Sequence, residues 1–186
     1  MKRLVLAAAF SVALSGPATA ASLDGITLAD MRMVGGTPLR LNGIALRTYS
    51  LLRIHIYVAG LYLEHPTDDA EQILRSPEKK MLDIRFVHDV DAASARKAWL
   101  EGFDSNCESP CPVNRSEIDK FLAAVTDMRK GDVTALVFTP GQVAFQRDGQ
   151  TVGTVKEPLA SVILASFIGP VPPTERLKRE LLGGHG

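Results

Sequence analysis

The chain lacks an excess of charge of either sign: 21 lysines and arginines face 21 aspartates and glutamates over 186 residues. Nothing in that balance points to nucleic acid or an anionic membrane surface as a partner. It also lacks a second long apolar run, since after residues 4–14 no segment approaches the about 20 residues that a membrane-spanning helix requires. Clustered metal ligands are missing. His55, His65, His88 and His185 are scattered, and no pair has the spacing that places two ligands on one helix face. Serines occur without a nucleophile elbow. There is no internal repeat and no low-complexity stretch, and no cofactor is expected.

What is present begins with a leader. Lys2 and Arg3 form a positive start and residues 4–14 an apolar stretch. Ser15, Gly16 and Pro17 break that stretch, and Ala18-Thr19-Ala20 reads as a small-residue cleavage site. This order predicts a signal peptide over residues 1–20 and a periplasmic or secreted protein of residues 21–186, with no stable membrane insertion after cleavage. Losing Lys2 and Arg3 from the 21 basic residues leaves 19 against 21 acidic, a net charge of −2. The remaining length fits one domain with a sizeable core.

The two cysteines, Cys107 and Cys111, lie in Asn-Cys-Glu-Ser-Pro-Cys-Pro. The spacing is wrong for a redox CxxC, and a zinc site lacks two further ligands nearby. In an oxidising compartment a short-loop structural disulfide is the expectation.

Periodicity and turn chemistry give a coarse element order. Residues 26–34 and 38–46 flank Gly35-Gly36, a hairpin signal. Residues 44–63 read as one long strand or two joined ones, residues 68–74 as a short helix, and Leu82, Ile84 and Phe86 as one face of a half-buried strand. Asp91 is placed to cap a helix whose Ala95, Trp99 and Phe103 share a face. Ser116 with Asp119 reads as a capping box for a helix that Gly131 ends. A meander over residues 133–155 turns at Pro140-Gly141 and Asp148-Gly149. Pro158 opens a helix that Gly169-Pro170 stops, and Thr174 caps the last one. The fold class is therefore α+β, a large antiparallel sheet packed against a helical layer.

Along the long strand, alternation places Leu52, Ile54, Ile56 and Val58 on an apolar face and Arg47, Tyr49, Leu51, Arg53, His55 and Tyr57 on a mixed one. The apolar parity flips after Gly60, which suggests a bulge, a bend or a change of packing layer. A face combining guanidinium with aromatic rings suits an amphipathic anion, because the rings hold an apolar body and the guanidinium grips a carboxylate. The plainer readings are a solvated face with ordinary cross-strand pairs, or an ion pair of Arg47 with Glu64 or Asp83.

The segments Asn42-Gly43-Ile44-Ala45-Leu46-Arg47 and Ile54-His55-Ile56-Tyr57-Val58-Ala59-Gly60-Leu61-Tyr62-Leu63-Glu64 resemble the chalcone isomerase fold family, in particular its exported bacterial members. Lys130-Gly131-Asp132, Phe138-Thr139-Pro140-Gly141 and Ser166-Phe167-Ile168-Gly169 extend the resemblance over most of the mature chain. It implies an open-faced β-sandwich with a cleft between sheet and helices, and Arg47 matches the arginine of the family's strand motif. The enzymes close a flavanone ring without a cofactor. Their polar set is largely replaced here, with Tyr57 at the position of a threonine, Ser94 at that of a tyrosine and Glu101 at that of an asparagine. Ser161 falls where the enzymes carry a small hydroxyl residue lining the cleft. Related members without catalytic activity bind fatty acids through the arginine and a tyrosine, which implies Arg47 with Tyr57 or Tyr49 here.

Three readings follow: an exported, non-catalytic binding protein for a fatty acid or similar amphipathic carboxylate; a cofactor-free isomerase or lyase; or a partner-binding protein whose cleft is filled. The first needs an apolar cavity ending at Arg47. The second needs a further proton-transferring group beside it.

Overall fold

The computed structural model describes residues 20–107 and 109–184; residues 1–19, where a leader is expected, and His185 lie outside them. Strands β1 (Ala20–Leu23) and β2 (Ile26–Ala29) form a separate two-stranded hairpin. Seven strands then build one antiparallel sheet in sequential order: β3 (Met31–Val34), β4 (Thr37–Tyr49), β5 (Ile54–Leu63), β6 (Lys80–Phe86), β7 (Val133–Thr139), β8 (Gln142–Arg147) and β9 (Gln150–Lys156). The helices are α1 (Ala70–Arg75), α2 (Ala92–Asn106), α3 (Arg115–Ala123), α4 (Leu159–Ile168) and α5 (Glu175–Leu181). The expected α+β class, with a large antiparallel sheet and a helical layer, is observed.

The sheet is buried on both faces. Ala59, Leu61, Leu63, Leu82, Ile84, Leu136 and Phe138 join the helix residues Phe103, Phe121, Ile163 and Phe167 in the main core. On the other face Val34, Leu39, Tyr62, Ala135 and Val137 form a smaller cluster. The β1–β2 hairpin belongs to that second face: Tyr62 Oη donates to Ala29 O at 2.8 Å, and a side chain at Gly60 would run into Leu28. Burial on two faces explains the change of parity at Gly60, where the ladder is regular. The bulges lie elsewhere, between Leu41 and Gly43 and between Arg47 and Thr48.

The region read as one long strand is a hairpin. β4 and β5 pair antiparallel around a turn at residues 50–53, with Tyr49 opposite Ile54. Leu52 and Ile54, expected in the core, are therefore at the exposed tip (84% and 36% accessible).

Helix caps are mostly as expected. Asp91 Oδ1 accepts from Ser94 N at 2.9 Å, and Thr174 Oγ1 accepts from Leu177 N at 3.1 Å. For α3 the cap is Asn114 rather than Ser116, since Asn114 Oδ1 takes the Ser116 amide at 2.9 Å. That helix also ends at Ala123, well before Gly131. Arg96 on α2 terminates it by donating to Leu122 O (2.9 Å) and Val125 O (2.8 Å), the carbonyls a further turn would need. The expected disulfide joins Cys107 and Cys111, linking the end of α2 to the approach to α3.

Asn42-Gly43 is the joint between sheet and C-terminal helix. Asn42 Nδ2 donates to Leu181 O (3.0 Å) while its Oδ1 accepts from Thr67 N (2.8 Å). Gly43 leaves room for the Glu180 and Leu181 carbonyls to rest on the strand, where a Cβ would collide with both.

Candidate functional site

Arg47 and Tyr57 are register partners across β4 and β5, so their side chains stand together on one face of the sheet. That face is the helical one. Tyr57 packs against the main core and meets Phe86 edge-on, with ring centroids 5.8 Å apart. Arg47 reaches the connection between α4 and α5: its Nη1 donates to Pro173 O at 3.1 Å and to Thr48 O at 2.7 Å.

Among the described residues Arg47 has no carboxylate partner. Both candidates for one are engaged elsewhere. Glu64 Oε1 accepts from Lys79 N at 2.7 Å, and Asp83, 1% accessible, is clamped by Arg32 (2.9 Å) and Arg85 (2.7 Å). Among the described residues the guanidinium Nε and Nη2 and the Tyr57 Oη make no hydrogen bond. Burial pushes the Tyr57 hydroxyl up to about 12, opposed in part by the positive charge of Arg47. The pair therefore offers a cation and a neutral O–H donor side by side, which complements a carboxylate.

The other expected site residues are not brought to this point. Tyr49 is at the hairpin tip and 61% accessible. Ser161 is exposed on α4 near the opposite end of the sheet, beside Lys80 and Phe138. Tyr57 pairs with Phe86 and Leu63 with Lys80, so six strand residues separate the two ends, about 20 Å. His55 faces Asp24 of the β1–β2 turn, with Nδ1 3.1 Å from the carboxylate. Ser94 is spent on the Asp91 cap (2.7 Å) and Glu101 is exposed beside Lys97. Neither reaches the core.

Two cavities are found among the described residues, and neither is lined by Arg47 or Tyr57. One cavity of about 140 Å³ lies between α2, α4 and the disulfide, lined by Phe103, Val113, Ile118, Leu159 and Val162. Another, of about 50 Å³, adjoins Ser161 and Lys80. There Lys80 is buried and donates to Ser76 O (2.6 Å) and Glu78 O (2.9 Å), and that burial lowers its pKa. The space between sheet and helices is instead filled by rings. Trp99 contacts Phe103, Phe121 and Phe167 with centroids 5.2 to 5.7 Å apart, and Phe121 stacks on Phe145 at 4.9 Å. Among the described residues no group of three or more His, Cys, Asp or Glu is placed to hold a metal.

A family model described as chalcone isomerase-like matches residues 20–183, almost the whole of the described chain. The chain belongs to the chalcone isomerase-like family. A search of curated proteins finds no match. Among solved structures, the crystal structure of an Arabidopsis thaliana fatty-acid binding protein is similar at a TM-score of 0.73, with 19% identity over 88% of this chain and 96% of that one. The likeness establishes the fold. On that fold Arg47 lies on β4 and Tyr57 directly across the ladder on β5.

Proposed function

We propose that this protein is an exported, non-catalytic binder of a fatty acid or similar amphipathic carboxylate, with the head group held by Arg47 and Tyr57. The observation that carries the reading is the Arg47 guanidinium, which stands across the ladder from the Tyr57 phenol and has no carboxylate partner among the described residues. A bound carboxylate satisfies both groups, and a charge-assisted hydrogen bond of this kind is worth about 1.5–3 kcal/mol. The fold shared with a fatty-acid binding protein supports the same reading. The leader pattern and the Cys107–Cys111 disulfide support export.

Neither of the two cavities is lined by Arg47 or Tyr57, so on this reading the tail enters as rings of the Trp99 cluster move aside. Tyr57 and Phe86 pack against the same core as Trp99, and on this reading that core receives the tail. The enzyme reading is less well served. Tyr57 holds its proton to about 12, which unsuits it as a base near neutrality. The partner-binding reading is favoured by one observation, the ring-filled interior itself.

Trp99 is the only tryptophan, so its fluorescence reports directly on the cluster. Titration with a long-chain carboxylate is expected to change Trp99 emission saturably, whereas the methyl ester of the same chain binds about tenfold or more weakly. Arg47→Ala removes the distinction between acid and ester. Equal response to acid and ester in the unmodified protein would sink the carboxylate site, and no response to either would favour the filled-cleft reading.

A further inference from the structure

The β4–β5 turn carries a concentration of exposed apolar side chains that the head-group site does not use. Leu51 is 102% and Leu52 84% accessible at its apex, and Tyr49 (61%) and Ile54 (36%) form the rung below. Of the eight exposed large hydrophobic residues in the described chain, four fall within these six positions, so the exposure is local rather than scattered. None of them belongs to either core cluster.

The turn itself is well formed. Arg53 N donates to Ser50 O at 3.1 Å and Leu52 N to Ser50 Oγ at 3.2 Å. Ser50 and Arg53 adopt left-handed backbone conformations (φ 62° and 52°) although neither is glycine. The geometry thus holds two leucines at the outermost point of the chain.

The groups behind the apex are arranged in depth order. After the leucines come Tyr49 and Arg53, then His55, then Arg47 with Tyr57. Arg53, like Arg47, has no carboxylate partner among the described residues, and the carboxylate of Asp24 is engaged by His55. Val171, 52% accessible, adds a second apolar point in the α4–α5 connection, two residues from the Pro173 carbonyl that receives Arg47.

We propose that this end of the molecule docks on an anionic lipid bilayer, with Leu51 and Leu52 entering the acyl boundary and Tyr49 and Arg53 at head-group depth. Hydrocarbon at the apex followed by an aromatic ring and a guanidinium is the order in which a bilayer interface presents its own layers. A narrow convex tip suits a fluid surface, which needs no complementary pocket, and the unpaired guanidinium complements lipid phosphate. The balanced charge of the whole chain conceals this local arrangement. Docking rests on the tip and not on the head-group reading, although it would place the Arg47–Tyr57 pair close to the membrane.

The test is co-sedimentation of residues 20–186, which include every described element, with vesicles of phosphatidylethanolamine and phosphatidylglycerol. The apolar leader is left off because it would itself partition. The protein is expected to pellet with these vesicles, and Leu51→Ser with Leu52→Ser to reduce partitioning by about tenfold or more. Arg53→Gln is expected to lower it about fivefold, a difference that high salt removes. All three positions are exposed, so circular dichroism should be unchanged. Leu52→Trp should move to the blue on vesicles above the constant Trp99 signal. Failure of the unmodified protein to pellet, or equal pelleting of the double variant, overturns the proposal. So does a dimer in solution that the double variant dissociates, since the tip would then be a protein–protein surface.

Discussion

Arg47 and Tyr57 set each other's electrostatics, and this is measurable without knowing the ligand. Tyr57 holds its proton to about 12 against an ordinary value of 10, because burial disfavours the phenolate more than Arg47 favours it. Between those two values the unfolded chain has released a proton that the folded protein keeps. Stability therefore falls as pH rises from 10 to about 12, and Tyr57 contributes no pH dependence below that window. In a tyrosinate absorbance titration, the component missing from Tyr57→Phe should sit near 12, and Arg47→Leu should push it higher still. A downward shift on losing the arginine would show that the two side chains do not share a face. The sequence made this pair legible through alternation along a supposed single strand. The structure makes them neighbours across two strands, with the bulge after Arg47 restoring a common face.

Among the elements, those whose turns need special backbone chemistry were the ones the sequence disclosed. Gly35-Gly36, Gly141 and Asp148-Gly149 all adopt positive φ, and each closes a hairpin where glycine lowers the cost. The β4–β5 turn was hidden because Ser50-Leu51-Leu52-Arg53 contains neither glycine nor asparagine. The end of α3 was hidden because Arg96, a residue on another helix, binds Leu122 O in its last turn and Val125 O just beyond it. Two element joints lead to predictions. Gly43→Ala drives a methyl group into the Glu180 and Leu181 carbonyls and should lose about 2 kcal/mol or more by lifting α5 from β4; urea denaturation measures this. Cys107→Ala with Cys111→Ala removes a cross-link spanning only four positions, so the loss should be about 2 kcal/mol on the loop-entropy model. An unchanged urea midpoint in either variant would show that the joint carries no strain or constraint.

For the whole molecule, the antiparallel class, the helical layer and the disulfide were legible because hydrophobic period and caps agree with one another along the chain. The site was legible only in part. Arg47 and Tyr57 converge, whereas Tyr49 is at the tip and Ser161 is at the far end of the sheet. Alternation within a segment cannot say which end of a sheet a later helix will cover. Nor does composition reveal that Trp99, Phe103, Phe121 and Phe167 meet in one cluster, since that depends on the packing of three helices. The resulting picture is a family fold with a ring cluster between sheet and helices and the Arg47–Tyr57 pair on the same face of the sheet. On the proposed function, that cluster opens when the carboxylate ligand enters.

The most direct test of that claim is native mass spectrometry of the protein recovered from the cells that make it, with extraction and identification of whatever it carries. The account predicts a co-purifying amphipathic acid in the unmodified protein and none in Arg47→Ala, with both folded. An unmodified protein that is empty and that takes up no long-chain acid from a panel would contradict it.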